Sequence, residues 1–189
     1  MVLLEIEQKF RFTPSLCQFF RLNKGHPPFS SLKSLGTHRF YDIYFDRSQI
    51  LAQNGVWIRK RDDKWEAKRR IEGNFIRTAF EEIDDSTRIH SLVCQYLPGS
   101  PDERFNFGLN VSCQFGTTRQ LYFADQKFSI TLDETSFGHS VGEVELIHDN
   151  AAEAHGDIDA FLDKYSWFFC KDRPKGKLTA YFEKFPPRV

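Results

Sequence analysis

Residues 3–12, LLEIEQKFRF, alternate in polarity. Leu4, Ile6, Phe10 and Phe12 fall on one parity, with Gln8 the exception, and Glu5, Glu7, Lys9 and Arg11 fall on the other. Period two marks a strand with two unlike faces. Thr13-Pro14 reads as a helix start, an N-cap followed by Pro in the first turn, and Leu16, Phe19 and Phe20 give that helix an apolar face. Residues 23–37 carry Gly25, Pro27, Pro28 and several Ser, and read as a loop. HRFYDIYFD, residues 38–46, is aromatic-rich and strand-like. Asn54-Gly55 signals a turn, VWIRKR (56–61) a strand, and Asp62-Asp63 a hairpin turn into WEAKRRI. Glu72-Gly73-Asn74 turns again into FIRTAFEEI, residues 75–83, so these three strands make an antiparallel meander.

Ile89, Leu92, Val93 and Tyr96 stand at i, i+3, i+4 and i+7, which predicts a helix opened by Asp84-Asp85-Ser86 and closed by Pro98-Gly99. Residues 99–108 read as a polar loop. Strands are expected again at 110–118, 119–124, 127–133 and 140–147. Helical spacing returns at Ile158, Phe161, Leu162 and Tyr165, and at Leu178, Tyr181, Phe182 and Phe185. About eight strands and four helices result, mostly joined by short connections. A long antiparallel sheet loses its exposed edges by closing. The expected fold class is therefore α+β, mainly antiparallel β: an eight-stranded closed antiparallel barrel with helices packed outside, in one domain over residues 1–189.

Charged residues share strand faces. Glu5, Glu7 and Lys9 share one, Trp57, Arg59 and Arg61 another, Lys64, Glu66 and Lys68 a third, and Glu143 and Glu145 a fourth. Arg119 opens a strand and Lys177 the last helix. For any single strand, a face turned to water is the plain reading. For all of them together it is weaker. The opposite parities hold Leu4, Ile6 and Phe10, Val56 and Ile58, Val144 and Leu146, and amphipathic helices outside a barrel need that apolar surface to cover. The charged faces then point inward, where a matching ligand has to balance them. Glu5-x-Glu7 and Glu143-x-Glu145 supply hard oxygen ligands for Mg²⁺ or Mn²⁺. Lys9, Arg59, Arg61, Lys68, Arg119 and Lys177 supply cations suited to phosphate oxygens. Carboxylates for a metal opposite a ring of cations describe a polyphosphate site.

Glu5-Ile6-Glu7-Gln8-Lys9 resembles the E-x-E-x-K signature of the CYTH, or triphosphate tunnel metalloenzyme, superfamily. The resemblance continues through Trp57-Ile58-Arg59-Lys60-Arg61, Trp65-Glu66-Ala67-Lys68 and Leu132-Asp133. It runs on to Phe137–Glu145, FGHSVGEVE, and ends at Gly176–Phe182, GKLTAYF. The last two stretches look most like the animal-type thiamine triphosphatases. The resemblance implies an eight-stranded tunnel, Mg²⁺ dependence, and hydrolysis of thiamine triphosphate to the diphosphate. It assigns metal binding to Glu5, Glu7, Glu143 and Glu145, and triphosphate binding to Lys9, Arg59, Arg61, Lys68, Arg119 and Lys177. Asp133 matches an acidic position near metal and substrate. Two positions depart from the family pattern: Thr131 stands where a further acidic ligand is common, and Ala79 where a fifth-strand Glu is common. Glu81, on the face of Ala79, is a substitute for the latter.

No Ser/His/Asp or Cys/His arrangement is evident, so direct attack of water on the terminal phosphoryl group is expected rather than a covalent intermediate. Lys9 is a candidate catalytic residue, as proton acceptor if neighbouring cations and burial lower its pKa; a carboxylate or a metal-bound hydroxide are alternatives. Trp57 either stacks on a cationic ring of the substrate or closes the tunnel mouth as packing. An inorganic tripolyphosphatase and a non-catalytic polyphosphate or nucleotide-binding module are the competing functions. Lys+Arg and Asp+Glu are 26 each in 189 residues, which leans against a nucleic-acid or membrane partner. The first residues carry no signal-peptide pattern and no apolar run approaches the ~20 residues of a membrane span. Cys17, Cys94, Cys113 and Cys170 are scattered, as in reduced, packed thiols. A cytoplasmic monomer acting on a small-molecule triphosphate is expected, the monomer because a closed barrel leaves no obvious edge to pair.

Overall fold

The computed structural model describes residues 3–74, 76–169 and 174–186. The chain runs β1 (Leu4–Phe10), α1 (Pro14–Arg21), β2 (Leu32–Asp46), α2 (Ile50–Gln53), β3 (Val56–Arg61), β4 (Lys64–Gly73), β5 (Arg77–Ile83), α3 (Ser86–Tyr96), β6 (Asn110–Ala124), β7 (Phe128–Thr135), β8 (Ser140–His148), α4 (Ala151–Lys164) and α5 (Lys177–Lys184). All strand pairs are antiparallel, and the order β1-β5-β4-β3-β2-β6-β7-β8 closes when β8 pairs with β1. The expected eight-stranded ring with helices is thus present.

The expected boundaries hold where local chemistry sets them. Thr13 caps α1 by accepting from the Leu16 N–H, and Asp85 caps α3 by accepting from the Arg88 N–H at 2.8 Å. Asp62 and Asp63 both take positive φ, 46° and 68°, the backbone of a tight hairpin turn. Three expectations fail. Residues 32–37 belong to a 15-residue β2, paired along its length with β6, and not to a loop. Residues 110–124 are one continuous β6, so Arg119 sits mid-strand. Residues 103–108 form a 3-10 turn inside the polar loop. Long cross-strand pairing outweighs local loop composition in β2. Phe75 and Cys170, part of the expected strand and thiol sets, lie outside the described residues.

The apolar core lies outside the ring. Ile6, Phe10, Ile130, Leu132, Val144 and Leu146 pack against Phe20 of α1, Ile158 and Phe161 of α4, and Tyr165 and Phe168 beyond it. Val56, Ile58, Trp65, Ala67 and Ile83 pack against Ile89, Leu92 and Val93 of α3. Each fully buried side chain of this size contributes about 1.5–3 kcal/mol. Gly142 is fitted to this surface: a Cβ there would lie 2.3 Å from the Phe10 ring, so any side chain would push β1 and β8 apart. Covering one parity of each strand with helices leaves the other, charged parity facing inward.

The ring does not hide every edge, contrary to the premise of the monomer expectation. β3 pairs only with Asp42–Phe45 of β2, so among the described residues Leu32–Phe40 pairs with β6 alone. A register shift between Ser34 and Gly36, and the exposed Lys33 and Arg39, blunt that edge.

Candidate functional site

The ring encloses a cavity of about 520 Å³. Glu5, Glu7, Glu143, Glu145, Lys9, Arg59, Arg61, Lys68, Arg119, Lys177 and Trp57 all line it. The structure therefore brings together eleven of the twelve residues singled out from the sequence. The twelfth, Asp133, is fully buried behind that lining. It takes two hydrogen bonds from Arg119, Nε at 2.7 Å and Nη2 at 2.8 Å, and one from Lys177. Asp133 thus holds two cations in place.

Most of the inward carboxylates are paired with cations. Lys9 donates to Glu7 and lies 3.5 Å from Glu143. Lys68 donates to Glu5, with Glu82 at 3.1 Å and Glu7 at 3.8 Å. Arg59 binds Glu66 through Nη2 at 2.6 Å, and its Nη1 donates to the Tyr44 hydroxyl at 3.4 Å. Arg61 donates to both carboxylate oxygens of Asp42 through one edge of its guanidinium, Nε at 2.8 Å and Nη2 at 2.9 Å. Arg119 and Lys177 lie 3.6 and 3.8 Å from Glu143.

These pairs set the protonation states. Burial opposes the charge on Lys9, but Glu7 and Glu143 outweigh it and raise the pKa. The sequence-based condition for Lys9 as proton acceptor, a pKa lowered by cations, is not met here: its neighbours are mainly carboxylates. Burial likewise opposes Lys68, and Glu5 and Glu7 hold it charged. Burial pushes Glu143 up, yet Lys177, Lys9 and Arg119 hold it below the usual carboxylate range. Glu145 goes the other way. Burial first, then Glu5, push it up to about 8, and Nη1 of Arg119 is 3.9 Å away.

The lining also holds residues the sequence reading left out. Arg70, two positions beyond Lys68, was legible by parity, as was Tyr44 on the inward side of β2. Phe80 meets Trp57 edge-on at 5.6 Å, and the guanidinium of Arg70 lies 5.8 Å from the Trp57 ring. Trp57 and Phe80 make the cavity's aromatic part, and Glu82 and Asp84 line the same cavity. Glu81 is a correction. It shares the outer face with the fully buried Ala79 and pairs with Arg69 at 2.6 Å and Arg88 of α3 at 2.9 Å. The fifth-strand carboxylate inside the ring is Glu82. Thr131 is fully buried on the parity of Asp133, and its hydroxyl has no hydrogen-bond partner. Among the described residues, no three His, Cys, Asp or Glu side chains already converge as a metal cage. None of the described helices is long and apolar enough to cross a membrane.

No family model matches the sequence. Thiamine-triphosphatase of Homo sapiens is 26% identical over 170 residues, covering 79% of this chain and 74% of that protein. Thiamine-triphosphatase of Macaca fascicularis is 25% identical over an alignment of 217 residues, covering 98% and 87%. Among solved structures, a putative adenylyl cyclase from Hippeastrum with a dominant triphosphatase activity superposes with a TM-score of 0.56 at 20% identity, covering 95% of this chain and 96% of that one. Matches along most of the chain and a shared strand ring agree: the chain resembles thiamine-triphosphatase in sequence and shares its fold with the Hippeastrum protein.

Proposed function

We propose that this protein hydrolyses the terminal phosphate of a small-molecule triphosphate, with thiamine triphosphate as the leading substrate. One observation carries the reading: seven cations and two Glu-x-Glu pairs line one cavity of about 520 Å³. The relatives named thiamine-triphosphatase, and the triphosphatase activity of the Hippeastrum protein, support the reaction class. The aromatic part of the cavity, Trp57 and Phe80, with Glu82 and Asp84 lining the same cavity, supports an organic, cationic end on the substrate.

In this reading Arg59, Arg61 and Arg119 hold the phosphate chain in line, and Lys68 and Lys177 add point charges. Lys9, protonated at Nζ, donates to phosphate oxygens. Water attacks the terminal phosphorus, the bond to the bridging oxygen breaks, and the diphosphate leaves with that electron pair. Such a reaction needs mainly positioning and charge neutralisation.

The donor set fits a hard divalent cation. The lining holds seven cations (Lys9, Arg59, Arg61, Lys68, Arg70, Arg119, Lys177) and seven carboxylates (Glu5, Glu7, Glu66, Glu82, Asp84, Glu143, Glu145). A polyanion added to this balanced set is favoured when its own counter-cation comes with it. Glu145, lifted by burial and by Glu5, is a carboxylate short of positive charge. Glu5, Glu7, Glu143 and Glu145 would hold the ion. Mg²⁺ or Mn²⁺ there supplies neutralisation of charge on the phosphate oxygens.

The test is phosphate release by the purified protein from thiamine triphosphate and from inorganic tripolyphosphate, side by side, in Mg²⁺ and in Mn²⁺. Preference for the thiamine ester is expected. Preference for tripolyphosphate would keep the hydrolysis and discard the organic subsite. Binding without release from either would reduce the protein to a triphosphate-binding module.

A further inference from the structure

The inward face of β2 carries no residue that the sequence reading assigned to the site. Yet each inward side chain along its middle touches a guanidinium. Phe40 lies 3.9 Å from the Arg61 guanidinium and 5.5 Å from that of Arg119. Asp42 is fully buried, takes the two-pronged bond from Arg61, and lies 4.0 Å from Nε of Arg59. The Tyr44 hydroxyl accepts from Arg59 at 3.4 Å. The strand pleat puts these three on one side at i, i+2 and i+4.

An arginine side chain has several rotatable bonds, and a free one samples many positions. A buried carboxylate gripping Nε and Nη2 removes that freedom and leaves Nη1 outside the pair. Asp133 treats Arg119 the same way on the neighbouring strand. Phe40 stands between the two forks, as a ring on which both cations rest. We infer that Asp42, with Phe40 and Tyr44 beside it, is a positioning residue: the inward face of β2 fixes the orientation of Arg61 and, together with Glu66 and Asp133, its spacing from Arg59 and Arg119 before any phosphate arrives. This rests on the triphosphate-hydrolysis reading of the same cavity.

A residue that orients a cation has a different signature from one that merely holds up the wall. Asp42→Asn takes a negative charge out of the wall behind the cationic lining, so tripolyphosphate binding should be unchanged or tighter. Turnover should nevertheless fall about 10- to 100-fold, because Arg61 keeps its charge and loses its aim. Acting through Arg61, the change should cost nothing further in an Arg61→Gln background. The experiment measures kcat, KM and calorimetric binding of inorganic tripolyphosphate for Asp42→Asn, Arg61→Gln and the double variant. Phe40→Leu and Tyr44→Phe, both near-isosteric, decide the question by the same split between turnover and binding if Asp42→Asn does not fold. Lower kcat with binding retained, and non-additivity with Arg61→Gln, is the expected result. Unchanged kcat, weakened binding in proportion to kcat, or full additivity would overturn the inference while leaving the hydrolase reading standing. A wild-type protein that neither binds nor cleaves a triphosphate would overturn both.

Discussion

Lys9 shows how neighbours decide a residue's chemistry. Its ammonium lies among Glu7 and Glu143, and it keeps its proton because their attraction exceeds the cost of burial. In the proposed reaction it acts as a fixed donor. Replacing it with Ala should lower kcat by about 100- to 1,000-fold, the scale of one lost oxyanion donor. The alkaline limb of the pH–rate profile should keep its midpoint in the residual activity of that variant. Near-normal turnover by a folded Lys9→Ala protein would remove Lys9 from the chemistry. A displaced alkaline midpoint would mean that Lys9 titrates during the reaction after all.

Between elements, Arg77 of β5 ties α4 to the ring. Its Nε donates to Nδ1 of His155 at 2.9 Å, and its Nη2 to the His155 carbonyl at 2.8 Å and to Asp159 at 2.6 Å. Burial, then the charge of Arg77, push the His155 pKa below the ordinary 6.5, against a smaller opposing pull from Glu72. The unfolded chain therefore takes up the proton first as pH falls. The stability this arrangement contributes is complete above about pH 6.5 and is lost as pH drops through the folded-state value. Urea midpoints of the wild type and of His155→Gln, compared from pH 8 to pH 5, should differ most at the alkaline end and converge at the acid end. A gap that stays constant would show that His155 does not titrate across the transition.

On the scale of the whole molecule, the inside of the ring is an ionic network and the outside is the hydrophobic core. Such a network costs desolvation, which its own pairing must offset. Glu145 is short of positive charge, so a divalent cation should stabilise the fold even without substrate. At hundredfold excess over its Kd the linkage is about 2.7 kcal/mol, or roughly 5–10 °C in Tm for a chain of this length. Thermal unfolding with and without Mg²⁺ and Mn²⁺ tests this, and Glu5→Gln together with Glu145→Gln should abolish the shift. An unchanged midpoint with either ion would count against these four glutamates as the metal site.

What was determined by the sequence alone is what lies within one strand or one turn. The pleat makes Glu5, Glu7 and Lys9 neighbours on one face whatever the rest of the chain does, and likewise Arg59 with Arg61 and Glu143 with Glu145. Thr13-Pro14 and Asp62-Asp63 start a helix and turn a hairpin by their own backbone preferences. Only the tertiary structure decided which face is inside. Glu81 and Glu82 are adjacent in sequence, yet one pairs with α3 outside and the other lines the cavity, because cross-strand register sets the phase of each strand. The length of β2 was hidden for the same reason: its first residues are strand only because β6 lies alongside. The charge state of Lys9, the burial of Asp133 and the grip of Asp42 on Arg61 all depend on strands far apart in the chain. Parity is local, but phase, depth and electrostatic company come from pairing across the ring.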